Sequence, residues 1–359
     1  MPLLSSPNKS LWQFLGQPVG WLYGVGAWLH RAAYVYGPLE RASFAPFVIC
    51  IGNLSVGGTG KSPHVLYLQR LLGEVEQTAM ISRGYGRQTK GVQWVAINSV
   101  PEVVGDEPLQ FKQAYPLATV VVAERRALGI QAALKKKPTL QQVLLDDALQ
   151  HWGVAANCTF LLTTFDAPFF QQTLLPFGRL REFRKGYQRA DIIIVSKCPS
   201  ELDDATKNTY KTAIAPLPHQ RVLFSWIVYQ PLYELKTKAP GPSLDQPLDI
   251  VLLTGIANTQ ALEKYLSSHR VTCQRFPDHH LFTPEELQQL EIIAAEKIII
   301  TTQKDATRLY PLLEQFPEIQ LTIYVLPIQV ALPKTEEAWL VHYLQEKKKE
   351  ASRTQKNSY

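Results

Sequence analysis

Gly57, Gly58, Gly60, Lys61 and Ser62 close the stretch Ile51-Gly-Asn-Leu-Ser-Val-Gly-Gly-Thr-Gly-Lys-Ser62, directly after the apolar run Phe47-Val-Ile-Cys-Ile51. Residue types at this spacing suit a nucleoside triphosphate. Glycines let backbone N–H groups wrap the phosphates, a lysine reaches the outer ones, and a hydroxyl sits on magnesium. Ser55, Val56, Gly57, Gly58, Thr59, Gly60, Lys61 and Ser62 are therefore the candidate nucleotide-binding residues. The usual pattern opens on glycine, where this chain has Ser55; three glycines remain to adopt φ > 0. A Gly-rich turn between strand and helix is the competing reading, but an apolar strand before Gly-Lys-Ser is the context the motif requires.

Phosphoryl transfer also needs an acidic residue near the metal, at the end of a second apolar strand. Val143-Leu-Leu-Asp-Asp147 fits, with Asp146, Asp147 and Ser62 as candidate magnesium ligands. A helix N-cap or surface pair is the alternative. In Gly105-Asp-Glu-Pro108, a carboxylate could accept the proton of an attacking hydroxyl, although local sequence alone favours a turn before a Pro-started helix. Phe276-Pro-Asp-His-His-Leu-Phe282 joins an acid to two imidazoles, yet no further spaced His or Cys completes a metal shell. His279 is better read as an acid/base partner, with structural capping as the alternative. Ser82-Arg-Gly-Tyr-Gly-Arg87 is a basic loop in which Arg83 and Arg87 could grip a phosphate or sugar, with a surface turn as the alternative.

The elements that must carry these residues alternate. Strand-like runs at Thr78–Ile81, Gln93–Ile97, Ala118–Ala123, Gln142–Leu145, Cys158–Thr163 and Asp191–Val195 are interspersed with helical stretches such as Pro63–Leu72 and Arg125–Lys135. That alternation predicts a parallel α/β sheet. Arg221–Tyr229 alternates like an exposed strand that Leu232–Lys236 could pair with, and Lys238-Ala-Pro-Gly-Pro-Ser243 then breaks structure. A second α/β unit follows from Asp249. The expected divisions are an N-terminal helical segment over 1–46, a P-loop domain over 47–220, a linker over 221–248, a C-terminal α/β domain over 249–345 and a disordered basic tail over 346–359.

A chain of 359 residues with 46% hydrophobic and 19% charged residues is ordinary globular material with room for two cores. The net charge of +6 favours anionic partners, leaving nucleic acid, anionic lipid and phosphorylated substrates open. Cys50, Cys158, Cys198 and Cys273 have neither zinc nor disulfide spacing, which fits a reducing cytosol. Trp12, Trp21 and Trp28 crowd the N-terminal segment, where Trp12, Leu15, Val19, Leu22 and Leu29 recur at helical spacing. Its apolar run from Pro18 to Leu29 falls well short of the ~20 residues that span a bilayer, and no cleavage site follows a basic n-region. Packing on the main domain and lying in a membrane interface, flanked by Lys9, Arg31 and Arg41, are the two readings.

These blocks in this order resemble the tetraacyldisaccharide 4′-kinase (lipid A 4′-kinase) family from Cys50 to about Leu309. The resemblance rests on Gly52–Pro63, Ser82–Arg87, Gly105–Pro108, Asp146-Asp-Ala-Leu-Gln-His151, Leu174-Leu-Pro-Phe-Gly-Arg-Leu-Arg-Glu182, Phe276–His279 and Thr302-Gln-Lys-Asp305. The family carries a hydroxyl residue at the Ser55 position. Ala148 stands where glycine is usual, and Phe177 and Arg179 alter the usual Pro-Ala-Gly-Pro-Leu-Arg-Glu block, so Glu182 is given no role. The resemblance implies an α/β fold: a P-loop NTPase-like parallel-sheet domain plus a smaller α/β C-terminal domain, joined by a β-ribbon, with the site in the cleft. It implies ATP and Mg²⁺ as cofactors and phosphorylation of the 4′-hydroxyl of a lipid A disaccharide 1-phosphate at the cytoplasmic face of the inner membrane. The chain would associate there peripherally, with no nucleic acid and no obligate protein partner.

The expected mechanism places Lys61 on the β/γ-phosphates and magnesium on Ser62 with Asp146 or Asp147. Asp106, paired with His279 across the cleft, takes the proton. The rival class is a P-loop GTPase or metallochaperone. Ala190-Asp-Ile-Ile-Ile-Val-Ser-Lys197 hints at the end-of-strand lysine such proteins set beside guanine, but Cys198-Pro199 follows where Asn-Lys-x-Asp would require an acid.

Overall fold

The computed structural model of the chain describes residues 17–294 and 297–356. Lys9, Trp12 and Leu15 lie outside the described residues. The chain folds as two compact units. The first takes the residues up to Arg83, Leu117–Ile227 and those from Val330 on; the second takes Gly84–Pro116 and Val228–Gln329. The segment holding Asp106 thus belongs with the second unit and not with the P-loop domain expected over 47–220. The chain after Val330 returns to the first.

In the first unit, β1 (Phe47–Asn53), β2 (Thr78–Ser82), β3 (Thr119–Val122), β4 (Gln142–Leu145), β5 (Cys158–Thr164), β6 (Ile192–Ser196) and β7 (Arg221–Phe224) form a sheet in the order β3-β2-β4-β1-β5-β6-β7. Every pairing among them is parallel. Such strands are covered on both faces, which explains why β1, β2, β4 and β6 are buried at every residue and read as unbroken apolar runs. The chain moves from β1 toward β2 on one side and later fills β5, β6 and β7 on the other. In such sheets ligands bind at the carboxyl ends of the strands where the order reverses, here the end of β1.

The second unit holds β8 (Tyr233–Glu234), β9 (Asp249–Thr254), β10 (Arg270–Arg275), β11 (Ile298–Thr302) and β12 (Ile323–Leu326) in the order β8-β12-β11-β9-β10, with only β8 antiparallel. Val251, Leu253, Leu287, Leu290, Leu309 and Ile323 form its core. Arg221–Tyr229 does not pair with Leu232–Lys236 as expected. Its first half is β7, and Trp226–Tyr229 pairs with Ile328–Ala331 in a two-stranded ribbon. The described part of the polar tail is helical: one helix runs from Lys334 to Lys356, where Lys347 and Lys349 pair with Glu350 and Glu346 and Lys348 reaches Glu74. Glu346 and Glu350 flank three lysines at helical spacing, so a charged composition that suggests disorder forms a helix here.

Candidate active site

Register builds the first constellation. β1 and β4 pair from Phe47↔Gln142 to Cys50↔Leu145, so both strands deliver their next residues to the same edge. β1 runs into the phosphate loop and β4 into Asp146 and Asp147. Asp146 N donates to Ile81 O at 2.9 Å and Ala148 N to Ile51 O at 3.1 Å, which ties the acidic pair to the ends of β2 and β1. Buried Asn53 braces the loop from within: its Nδ2 donates to Ser55 O at 2.5 Å and Thr59 Oγ1 at 3.1 Å, while its Oδ1 accepts from Lys61 Nζ at 3.4 Å. Ser196, ending β6, donates from Oγ to Thr59 O at 2.8 Å. Gly57 and Gly60 hold φ of +107° and +81°, a region closed to most side chains. Gly60 starts the helix Lys61–Leu72 without a side-chain cap, so the first N–H groups remain available to an anion.

The charges around the loop are paired across it. Lys61 Nζ lies 3.6 Å from Asp147 Oδ1, and Arg181 Nη1 lies 3.0 Å from the same oxygen. Burial works to raise the Asp147 pKa, but Lys61 and Arg181 outweigh it and hold the carboxyl below its usual range. Asp146 is buried and accepts from Ser82 Oγ at 3.1 Å. Arg126, 2% exposed, donates to the carbonyls of Ala123 at 2.7 Å and Asp146 at 3.3 Å; burial lowers its pKa to about 10 against the pull of Asp146 and Asp147. His64 is fastened under the loop, with Nδ1 2.6 Å from Gly60 O and Nε2 3.0 Å from Ser225 Oγ. Gly60 O only accepts, so Nδ1 carries the proton and Nε2 accepts from Ser225. Burial lowers the His64 pKa to about 4 despite that bond, and burial with Arg126 and Arg83 does the same for His151.

The second unit gathers a separate acid/base cluster. Asp106 opens the helix Asp106–Ala114, and its Oδ2 lies 2.8 Å from His279 Nδ1. The paired residues therefore share one unit and do not reach each other across a domain boundary. Lys304 Nζ is 3.1 Å from His279 Nε2 and 2.8 Å from Asp278 Oδ1. An ammonium can only donate, so Nε2 accepts and the Nδ1 proton points at the Asp106 carboxylate. Arg308, fully buried, lies 3.4 Å from Asp106 and pairs with Asp305, which also accepts from Thr254, Thr302 and the Gly255 N–H. His280 instead binds Glu286 at 2.9 Å beside a capping box of Thr283 and Glu286, a structural role.

The first unit thus brings Ser55–Ser62 together with Asp146 and Asp147, and the second unit brings Asp106 together with His279. Arg83 and Arg87 fall in different units: Arg83 is exposed at the end of its segment in the first, and Arg87 in the second donates to Gly91 O at 2.7 Å. Reading the sequence missed Arg126, His64, Lys304 and Arg308. Lys304 and Arg308 stand one and five residues after Gln303, on the turns of one helix, but nothing local says that this helix faces Asp106. Among the described residues, no group of three or more His, Cys, Asp or Glu side chains forms a metal site by itself.

The chain matches the family described as tetraacyldisaccharide-1-P 4′-kinase over residues 12–345. It is 37% identical over 340 residues to the tetraacyldisaccharide 4′-kinase of Bacteroides thetaiotaomicron, covering 89% of each chain. With that of Porphyromonas gingivalis it shares 36% over 357 residues, covering 95% of this chain and 98% of the other. A crystal structure of LpxK from Aquifex aeolicus in complex with ATP is similar with a TM-score of 0.72 at 26% identity, over 93% of this chain and 99% of that one. The phosphate loop, the acidic pair at the end of β4 and these likenesses agree: the chain belongs to the tetraacyldisaccharide 4′-kinase family.

Proposed function

We propose that this protein transfers the γ-phosphoryl group of ATP to the 4′-hydroxyl of a lipid A disaccharide 1-phosphate. The carrying observation is the Ser55–Ser62 loop with Lys61 held against Asp147 at the end of the neighbouring strand. Ser62, Asp146 and Asp147 offer only oxygen donors, a set suited to Mg²⁺, which takes one or two carboxylates and fills its remaining positions with phosphate and water. When bound, the ion neutralises charge on the β- and γ-oxygens. Lys61 leaves its carboxylate for the outer phosphates, and Arg181 keeps Asp147 ionised and oriented. Asp106 takes the acceptor's proton, with His279 donating to it from Nδ1 and Arg308 balancing its charge. The GTPase or metallochaperone reading gains no support from the relatives named above.

The acceptor is a lipid, and the helix Gln17–Val35 supports action at a membrane surface. Its buried positions are Gly20 and Gly24, which lie on Leu174 and Phe183, whereas Trp21, Leu22, Trp28 and Leu29 are 50–73% exposed. A helix packed as core buries its large residues and exposes its small ones. This one does the reverse, as an interfacial helix does, with tryptophans at headgroup level. No helix among the described residues is long and apolar enough to cross a membrane. The decisive experiment incubates the protein with labelled ATP, Mg²⁺ and lipid A disaccharide 1-phosphate. Folded protein that transfers no label refutes the proposal.

A further inference from the structure

We propose that Arg179 is a catalytic arginine supplied in cis, its guanidinium laid over Gly57 so that it neutralises charge on the phosphoryl group during transfer. The inference rests on the kinase reading of the Ser55–Ser62 loop. Arg179 is also one of the residues by which this chain departs from the usual block of its family, so it adds to the machinery common to P-loop kinases.

The observations are positional. Val56 N donates to Arg179 O at 2.7 Å, Arg181 N to Leu54 O at 2.7 Å, and Ser55 bridges Leu180 in antiparallel fashion. The backbone of 179–181 is therefore stitched to the start of the phosphate loop, and Arg179 cannot drift from it. Its side chain folds back across the loop: a Cβ placed on Gly57 would collide with Arg179 Nη2 and lie 3.5 Å from Cζ. Among the described residues the guanidinium makes no hydrogen bond or ion pair, although Arg181, two residues on, is committed to Asp147. Lys197, at the end of β6, brings a second ammonium within 3.9 Å of a Cβ position on Gly58. Its backbone sits at φ +58°, a conformation uncommon for lysine and held here at the loop. Burial lowers the Lys197 pKa, Asp166 pulls it back up, and Arg179 adds a smaller push downward, as a second cation nearby does.

A guanidinium with no carboxylate partner among the described residues, laid on the rim of a phosphate loop, suits an anion bound there. In the transfer, the bond from the γ-phosphorus to the ADP oxygen breaks as that to the sugar oxygen forms, and the acceptor proton passes to the carboxylate base. Charge spreads over the equatorial and leaving oxygens in a loose transition state. A planar guanidinium presents two parallel donors to such oxygens, which an ammonium does not.

The test compares the wild-type protein with Arg179→Ala and Arg179→Lys in the labelled-ATP assay, alongside ATP affinity and melting temperature. Both variants should melt as the wild type does, because the side chain is exposed and unpaired. Arg179→Ala should lose about 10³-fold in kcat, the low end for arginines of this kind, with ATP affinity within about threefold. Arg179→Lys should stay within about tenfold of the alanine variant, and added guanidinium ion should restore part of the alanine variant's kcat. Retention of kcat within about threefold in Arg179→Ala overturns the proposal. So does a loss that appears wholly as weaker ATP binding and is recovered by lysine. Wild-type protein that transfers no label would instead refute the kinase reading itself.

Discussion

Replacing His64 by glutamine should exchange stability at neutral pH for stability in acid. His64 is 2% exposed, and burial sets its folded pKa at about 4, against about 6.5 in the unfolded chain. Its folded value is depressed, so below pH 6.5 the unfolded chain binds a proton that the native state refuses. Stability is then lost as pH falls from about 6.5 toward 4. At 1.36 kcal/mol per pKa unit the whole interval is worth about 3.4 kcal/mol, of which about 2 kcal/mol is gone at pH 5. Glutamine can replace only one of the bonds to Gly60 O and Ser225 Oγ, costing about 1 kcal/mol at pH 7.5, where His64 is neutral in both states. The two stability curves should therefore cross near pH ~5.8, with the variant about 1 kcal/mol the more stable at pH 5. Urea unfolding of nucleotide-free protein, followed by fluorescence of buried Trp152 in the same unit, measures this directly. His151 titrates alike in both proteins and cancels from the difference. Parallel pH dependences for wild type and variant would refute the assignment of His64 as a buried neutral imidazole.

Three further outcomes follow from the same contacts. Asp106→Asn should lower kcat by about 10²–10⁴-fold, and Lys61→Met and Asp147→Asn at least as far, because charge neutralisation carries more of phosphoryl transfer than the base does. The labelled-ATP assay decides it, and an Asp106→Asn/His279→Ala double variant with wild-type turnover would remove the base. Arg308→Met strands the Asp106 and Asp305 carboxylates in a buried site and should destabilise the second unit by about 3–5 kcal/mol, visible in thermal melts; a change below about 1 kcal/mol contradicts it. Trp21, Leu22, Trp28 and Leu29 changed together to serine should abolish co-sedimentation with anionic vesicles while leaving the melting temperature unchanged, and undiminished co-sedimentation would sink the interfacial role.

Local chemistry was enough to recognise the loop and the elements beside it. Glycines at φ > 0, a lysine and a hydroxyl at a helix start form a contiguous structure, so Ser55–Ser62 needed no distant partner to be recognised. The strands of the first sheet were legible for a related reason: burial on both faces writes them as unbroken apolar runs. Asp146 and Asp147 followed from one such run ending in acid. Composition misleads where charged residues also pair along a helix, as in the one ending at Lys356.

What the sequence by itself determined is this set of contiguous devices: a triphosphate loop, an acidic strand end, the α/β alternation and, through the order of the blocks, the family. Only the tertiary structure decided in which unit the expected partners meet and which further residues surround them, because pairing across the chain depends on topology and not on spacing. It put Asp106 in one unit with His279, 173 positions away, and set Lys304 and Arg308 around them. It also stitched Arg179 to Val56 and buried glycines instead of tryptophans on the first helix. Each of these depends on which surfaces meet when the sheets close, and no local pattern of residues carries that information.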